Sequence, residues 1–218
     1  MIDVPVHDMK GTAVGSLSID EGLLGGEVRP ALLKQAYVMF HANRRQGSAR
    51  TRGRGDVEGS TRKLYKQKGT GNARVGARRT VIRKGGGVAF AKTKTRESYR
   101  LDMPRKQRRL ANRNALLAKL VDGEVKVVDR LDFEAGPKTA VMRELMSALH
   151  VDRTCLLALD RANRNAALAA RNLADVDTIR AEQLNAFDLL NHRYLVIEKA
   201  QLEAFVDGSL WRQTEEAA

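Results

Sequence analysis

Residues 154–179 read TCLLALDRANRNAALAARNLADVDTI. Cys155–Leu159 is an unbroken apolar run, too short for a helix and of the kind found in a strand buried on both faces. Asn163–Leu173 is rich in alanine, and Asn163 stands where a helix cap belongs. Val176–Ile179 then returns to a short strand. A strand, a helix and a second strand in such quick succession predict parallel pairing, because the connection is long enough to cross back over the sheet.

The same alternation extends to both sides. Upstream, Val125–Val128 predicts a strand and Thr139–Leu149 an amphipathic helix presenting Val141, Leu145 and Leu149. Downstream, Leu184–Leu190 predicts a helix, Tyr194–Ile197 the last strand, and Gln201–Leu210 a closing helix presenting Leu202, Phe205 and Val206. Residues 2–19 alternate loosely between apolar and polar, with Gly11 and Gly15 as turn points, and predict short strands near a sheet edge. Pro30 suits the first turn of a helix over 30–45, in which Leu33, Ala36, Tyr37 and Phe40 fall at helical spacing. After Arg100, Asp102 is a candidate cap and Pro104 a first-turn residue of a helix presenting Leu110, Leu117 and Val121. The fold class is therefore α/β, a mostly parallel sheet with Rossmann-like helices on both faces.

Between the two early helices the texture changes. Residues 59–96, GSTRKLYKQKGTGNARVGARRTVIRKGGGVAFAKTKTR, contain no Asp or Glu. Large apolar residues there are sparse and follow neither helical nor strand spacing. Ordering a backbone costs roughly 1–2 kcal/mol per residue, more than so few apolar groups offset, so the segment is expected to take one shape only against a partner. The preceding QGSARTRGRGDVE, residues 46–58, is small, polar and Arg/Gly-rich. We accordingly expect a globular α/β domain over 1–46 and 98–218, with an extended loop over 47–97 inserted between two helices.

The charge is as unevenly spread as the hydrophobicity. Of 39 Lys and Arg and 26 Asp and Glu, 23 and 4 respectively lie between Arg44 and Arg113, a local charge of +19. The remainder holds 16 basic and 22 acidic residues, or −6. Such segregation points to a polyanion as partner. Candidate RNA-binding residues are Arg50, Arg52, Arg54, Arg62, Lys63, Lys66, Arg74, Arg78, Arg79, Arg83, Lys84, Lys92, Lys94 and Arg96, with Gly85, Gly86 and Gly87 allowing close backbone approach. Arg105, Lys106, Arg108 and Arg109 crowd the following helix, either as a solvated face or as an RNA-facing flank. Tyr65, Phe90 and Tyr99 could stack on splayed bases, although contacts at the root of the loop would account for Phe90 and Tyr99 equally.

Catalytic signals are weak. No G-x-G-x-x-G follows a strand, no phosphate-binding G-x-x-x-x-G-K-[ST] occurs, and His7, His41, His150 and His192 are scattered singly. We expect no metal, cofactor or enzymatic activity, and read Asp129 and Asp160 as caps or surface charges. Cys155, the single cysteine, excludes an intrachain disulfide and reads as a buried, inert thiol. No apolar run approaches the roughly 20 residues of a membrane span, and the N-terminal MIDVPVHD resembles no targeting peptide, so a cytoplasmic protein is expected.

Three blocks carry a resemblance: Gln67-Lys68-Gly69-Thr70-Gly71-Asn72-Ala73-Arg74, then Gly85-Gly86-Gly87-Val88-Ala89-Phe90, then Pro104-Arg105-Lys106-Gln107-Arg108-Arg109-Leu110-Ala111. Their order and spacing, with the α/β pattern on either side, resemble the bacterial large-subunit ribosomal protein L-four family over essentially the whole chain. The resemblance implies a structural protein bound to 23S rRNA that aids subunit assembly. It also implies that the loop reaches the nascent-peptide exit tunnel, beside ribosomal protein L-twenty-two, with macrolide antibiotics binding nearby. On that resemblance Gln67, Lys68, Gly69, Thr70, Gly71, Asn72, Ala73 and Arg74 form a tip that lines the tunnel. Asn72 stands where the family usually carries Arg, and Leu64-Tyr65 where it usually carries Pro-Trp. The alternatives are a free RNA-binding regulator or chaperone using the same arm, and an α/β RNA-modifying enzyme with a ligand at its strand ends.

Overall fold

A computed structural model describes residues 1–93, 96–133 and 136–210. The chain divides into two compact units, Met1–Val38 with Met103–Ala218, and Met39–Asp102.

Six strands form the sheet of the first unit: β1 (Ile2–His7), β2 (Ala13–Ile19), β3 (Val125–Val128), β4 (Cys155–Leu159), β5 (Val176–Arg180) and β6 (Tyr194–Glu198). Their spatial order is β2-β1-β3-β6-β4-β5. β1 and β2 pair antiparallel; every other pairing is parallel. The sheet is thus the mostly parallel one expected, with the antiparallel hairpin at its edge. Gly11 turns that hairpin at φ +80°, whereas Gly15 lies inside β2 opposite Val6 and turns nothing.

All five residues of β4 are buried, as an apolar run between two helical layers requires. On one face Cys155, Leu157 and Leu159 pack with Val196, against α3 (Thr139–Ala148) and α4 (Arg164–Ala170). Side chains alternate along a strand, so Leu156 and Ala158 turn to the other face with Leu195 and Ile197, all buried. That face belongs to α2 (Arg105–Val121), α5 (Ala186–Asn191) and α6 (Lys199–Asp207), of which α2 packs on α5, and α6 on β3 and β6.

Local chemistry sets the helix ends. The Asn163 side chain accepts from the Ala166 N–H at 3.2 Å and caps α4 as its position foretold. Pro30 opens α1 (Pro30–Arg44). In α2 the cap position falls to Pro104, whose carbonyl accepts from the Arg108 N–H at 3.1 Å, so Asp102 is not the cap. The buried face of α2 also differs from expectation. It runs through Ala111, Ala115, Leu116, Leu117 and Leu120, while Val121 is 62% exposed. Of the three residues expected to face inward, Leu117 is buried and Leu110 half-buried, and Leu120 takes the place of the exposed Val121.

Buried Asn114 lies in the same helix; its amide donates to the Glu27 carbonyl at 2.6 Å and its oxygen accepts from the Arg29 N–H at 2.7 Å. The segment just before α1 is thereby tied to the core by a side chain with both hydrogen-bonding ends satisfied. Cys155 is buried, and burial pushes its thiol up to about 12, which keeps it protonated and inert.

Candidate RNA interface

The described residues of the second unit form no apolar core. Among its described residues only Gly87 is buried. The chain here folds back on itself through backbone contacts. Asn43 and Leu101 close its root with two hydrogen bonds, 3.0 Å from the Asn43 amide to the Leu101 carbonyl and 2.9 Å from the Leu101 N–H to the Asn43 oxygen. The Arg45 guanidinium lies over the Tyr99 ring, 3.8 Å from its centroid.

Further out, residues 51–54 run beside residues 87–92. The Thr51 N–H donates to the Lys92 carbonyl at 3.0 Å and the Val88 N–H to the Arg52 carbonyl at 2.9 Å. Gly87 shows why glycine is required there: a Cβ would fall on the backbone of Gly53 and Arg54, deep inside van der Waals contact. A Cβ at Gly86 would strike the Thr80 carbonyl in the same way. These glycines therefore bring protein backbone against protein backbone, a role the sequence does not separate from close approach to a phosphate.

The tip closes like a small hairpin. Lys63 and Ala77 form an antiparallel bridge, and the Leu64 N–H donates to the Gly76 carbonyl at 3.2 Å. The Tyr65 hydroxyl donates to the Ala73 carbonyl and the Lys63 ammonium to the Gln67 side chain. Between these ties Gly69 and Gly71 take φ of +83° and +69°, which lets the chain reverse without side-chain bulk. Gln67, Lys68, Gly69, Thr70, Gly71, Asn72, Ala73 and Arg74 are all exposed.

Most of the basic side chains are left facing solvent. Arg50, Arg52, Arg54, Arg62, Lys63, Lys66, Arg74, Arg78, Lys84 and Lys92 are exposed, and Arg83 is half-buried. Besides Lys63, two more are engaged within the arm, one of them the half-buried Arg79. Arg50 pairs with Asp56 at 3.6 Å, and Arg79 donates to the carbonyls of Val57 and Gly55 at 3.4 and 3.5 Å. Lys94 lies outside the described residues, and Arg96 opens a short 3-10 turn, Arg96–Tyr99.

In the first unit, Arg105, Lys106, Arg108 and Arg109 are exposed at the start of α2, where no acidic residue occupies the first turn. Cations near a helix N-terminus oppose the macrodipole by about 0.3–1 kcal/mol each. This arrangement is unfavourable for an isolated helix and favourable beside a bound polyanion.

The carboxyl ends of β3, β4 and β6 enclose a crevice of about 340 Å³, the place where α/β folds commonly hold ligands. Its most converging groups have structural duties: the Glu198 carboxylate accepts from the Leu131 N–H at 3.1 Å, and Asn163, besides capping α4, donates to the Leu131 carbonyl at 2.7 Å. Asp160 accepts from the Arg161 N–H at 2.8 Å. Among the described residues no group of three or more His, Cys, Asp or Glu is placed to hold a metal, and no helix is long and apolar enough to cross a membrane.

Fold and charge together define an α/β protein carrying a long basic insertion. A family profile described as the ribosomal protein L4/L1 family matches residues 17–207, and the chain belongs to that family. Its relatives include large ribosomal subunit protein uL4 of Dehalococcoides mccartyi, 41% identical over 97% of this chain and 99% of its own. The protein of the same name from Moorella thermoacetica is 41% identical over 90% and 93%, and that of Rhodopirellula baltica 37% identical over 99% and 96%. These relatives bear the name of a ribosomal protein, not of an enzyme.

Proposed function

We propose that the chain is a non-catalytic structural component of the large ribosomal subunit in the cytoplasm, binding 23S rRNA through residues 47–97 and the basic start of α2, and aiding subunit assembly. The observation that carries this is the separation of roles along the chain. Apolar side chains pack the α/β unit, while the basic segment is organised by glycine and backbone contacts that leave its cations exposed. A phosphate backbone is the partner that such a surface fits. Co-sedimentation with large subunits in high salt tests the reading: a structural component stays bound, whereas a free regulator or chaperone washes off.

In this reading the hairpin tip at Gln67–Arg74 lines the exit tunnel, near L-twenty-two, the nascent chain and the macrolide site. Gly69-Thr70-Gly71 offers little side chain to grip RNA, so anchoring falls to the other cations, and Lys68 projects from a compact wall. Lys68→Glu is then expected to leave sucrose-gradient profiles of the subunits normal while changing macrolide susceptibility or the stalling of particular nascent chains. Missing large subunits would make Lys68 an anchor. Unchanged susceptibility and stalling would take the tip out of the tunnel wall.

A further inference from the structure

Beyond the end of α1 the basic unit holds three aromatic side chains, Tyr65, Phe90 and Tyr99, and the structure treats them differently. Tyr65 braces the tip through its hydroxyl, and Tyr99 has the Arg45 guanidinium over its ring. Phe90 is fully exposed, at 102% of its reference area, with φ at +48°. A non-glycine residue is disfavoured in that left-handed region, and a phenyl ring in water forgoes the burial that ordinarily holds it in a protein.

The surrounding chain holds Phe90 in this state. On one side Val88 is bonded to the Arg52 carbonyl, and Gly87 is seated on the Gly53–Arg54 backbone. On the other side Lys92 is bonded twice to Thr51, its carbonyl accepting from the Thr51 N–H at 3.0 Å and its N–H donating to Oγ1 at 2.7 Å. Ala89-Phe90-Ala91 is therefore a three-residue apex pinned at both ends, with small neighbours that leave the ring uncovered. Strain held in place by its surroundings marks a site of use.

We propose that Phe90 is a stacking post for one unpaired RNA base, an inference that rests on the basic unit being the RNA-binding part of the protein. Charge chooses a base over an apolar protein pocket. The register sets Arg52 opposite Val88 and Lys92 beside the apex, and no carboxylate occurs between Gly59 and Arg96. A pocket for the ring in another protein would have to strip water from those cations. A nucleotide instead offers a π-face to the ring and a phosphate to the neighbouring Arg or Lys.

The test is binding of the full chain to a full-length 23S rRNA transcript across a salt series. Phe90→Ala and Phe90→Leu are expected to weaken binding about 5- to 150-fold, and Phe90→Tyr to stay within about twofold of wild type. The slope of log affinity against log salt should not change, because no phosphate contact is removed. Phe90→Gly, which relieves the backbone, should match Phe90→Ala. Wild-type affinity for the Gly variant would make the backbone and not the ring the active feature; wild-type affinity for the Leu variant would replace stacking by simple apolar contact. Either result overturns the proposal. Tight wild-type binding with an unaffected Ala variant overturns stacking while leaving the RNA-binding reading intact. Failure of the wild-type chain to bind overturns that reading and the proposal with it.

Discussion

The two units organise chain by opposite means. In the α/β unit, Leu157, Val127, Val196 and Phe205 are completely buried, and position follows from the area that apolar side chains withdraw from water. In the basic unit the one buried residue among those described is Gly87, and position follows from backbone hydrogen bonds made possible by missing side chains. The first arrangement is expected to fold by itself. The second withdraws little apolar area and exposes its charges. One chain thus carries an apolar core and an exposed basic surface by changing residue type alone.

Deleting Ser48–Lys94 and closing the gap with a short Gly/Ser linker breaks the comparison most directly. The expected result is loss of at least about 100-fold in affinity for 23S rRNA near 0.15 M salt, with a flattened salt slope. Cooperative unfolding by circular dichroism should persist, since loop length costs stability only weakly. A non-cooperative transition would show that the α/β unit is not self-sufficient.

Leu157→Ala removes a fully buried side chain from β4 and should lower unfolding free energy in urea by about 2–5 kcal/mol, while Leu64→Ala, 43% exposed in the basic unit, stays within about 0.5 kcal/mol. The RNA salt slope should be unchanged by the first. Gly87→Ala places a methyl on the Gly53–Arg54 backbone, which cannot yield as a flexible side chain would. It should weaken rRNA binding by about tenfold, near 1.4 kcal/mol, and speed proteolysis of the basic segment without moving the urea midpoint. A shifted midpoint would tie the two units together energetically.

The smallest effect concerns Cys155. Its folded thiol titrates near 12, above the unfolded value of about 8.5, so the unfolded chain loses this proton first as pH rises. The contribution is fully present below that unfolded value and fades upward: raising the pH from 8 to 9.5 should lower stability by about 1 kcal/mol. Cys155→Ala should remove that component of the slope, and the native thiol should resist alkylation at pH 8.

The order of strands and helices from Val125 onward was legible in the sequence because each element is apolar at the period of its own geometry. The family was legible too, because QKGTG, GGGVAF and PRKQRRLA survive as unbroken words. The placement of β6 between β3 and β4 was not, since a strand apolar throughout fits any interior position of a parallel sheet. The buried face of α2 was blurred by its alanines and by Asn114, whose two backbone partners lie 87 and 85 residues away. In the basic unit composition fixed the charge and, among the described residues, the absence of an apolar core. It did not reveal that Gly86 and Gly87 pack against the chain itself, that Tyr65 and Tyr99 have partners, or that Phe90 stands exposed. Charge and hydrophobic period are properties of a stretch and can be counted along it; which backbone lies against a glycine, or which ring is left over, depends on distant residues that only the folded chain brings together.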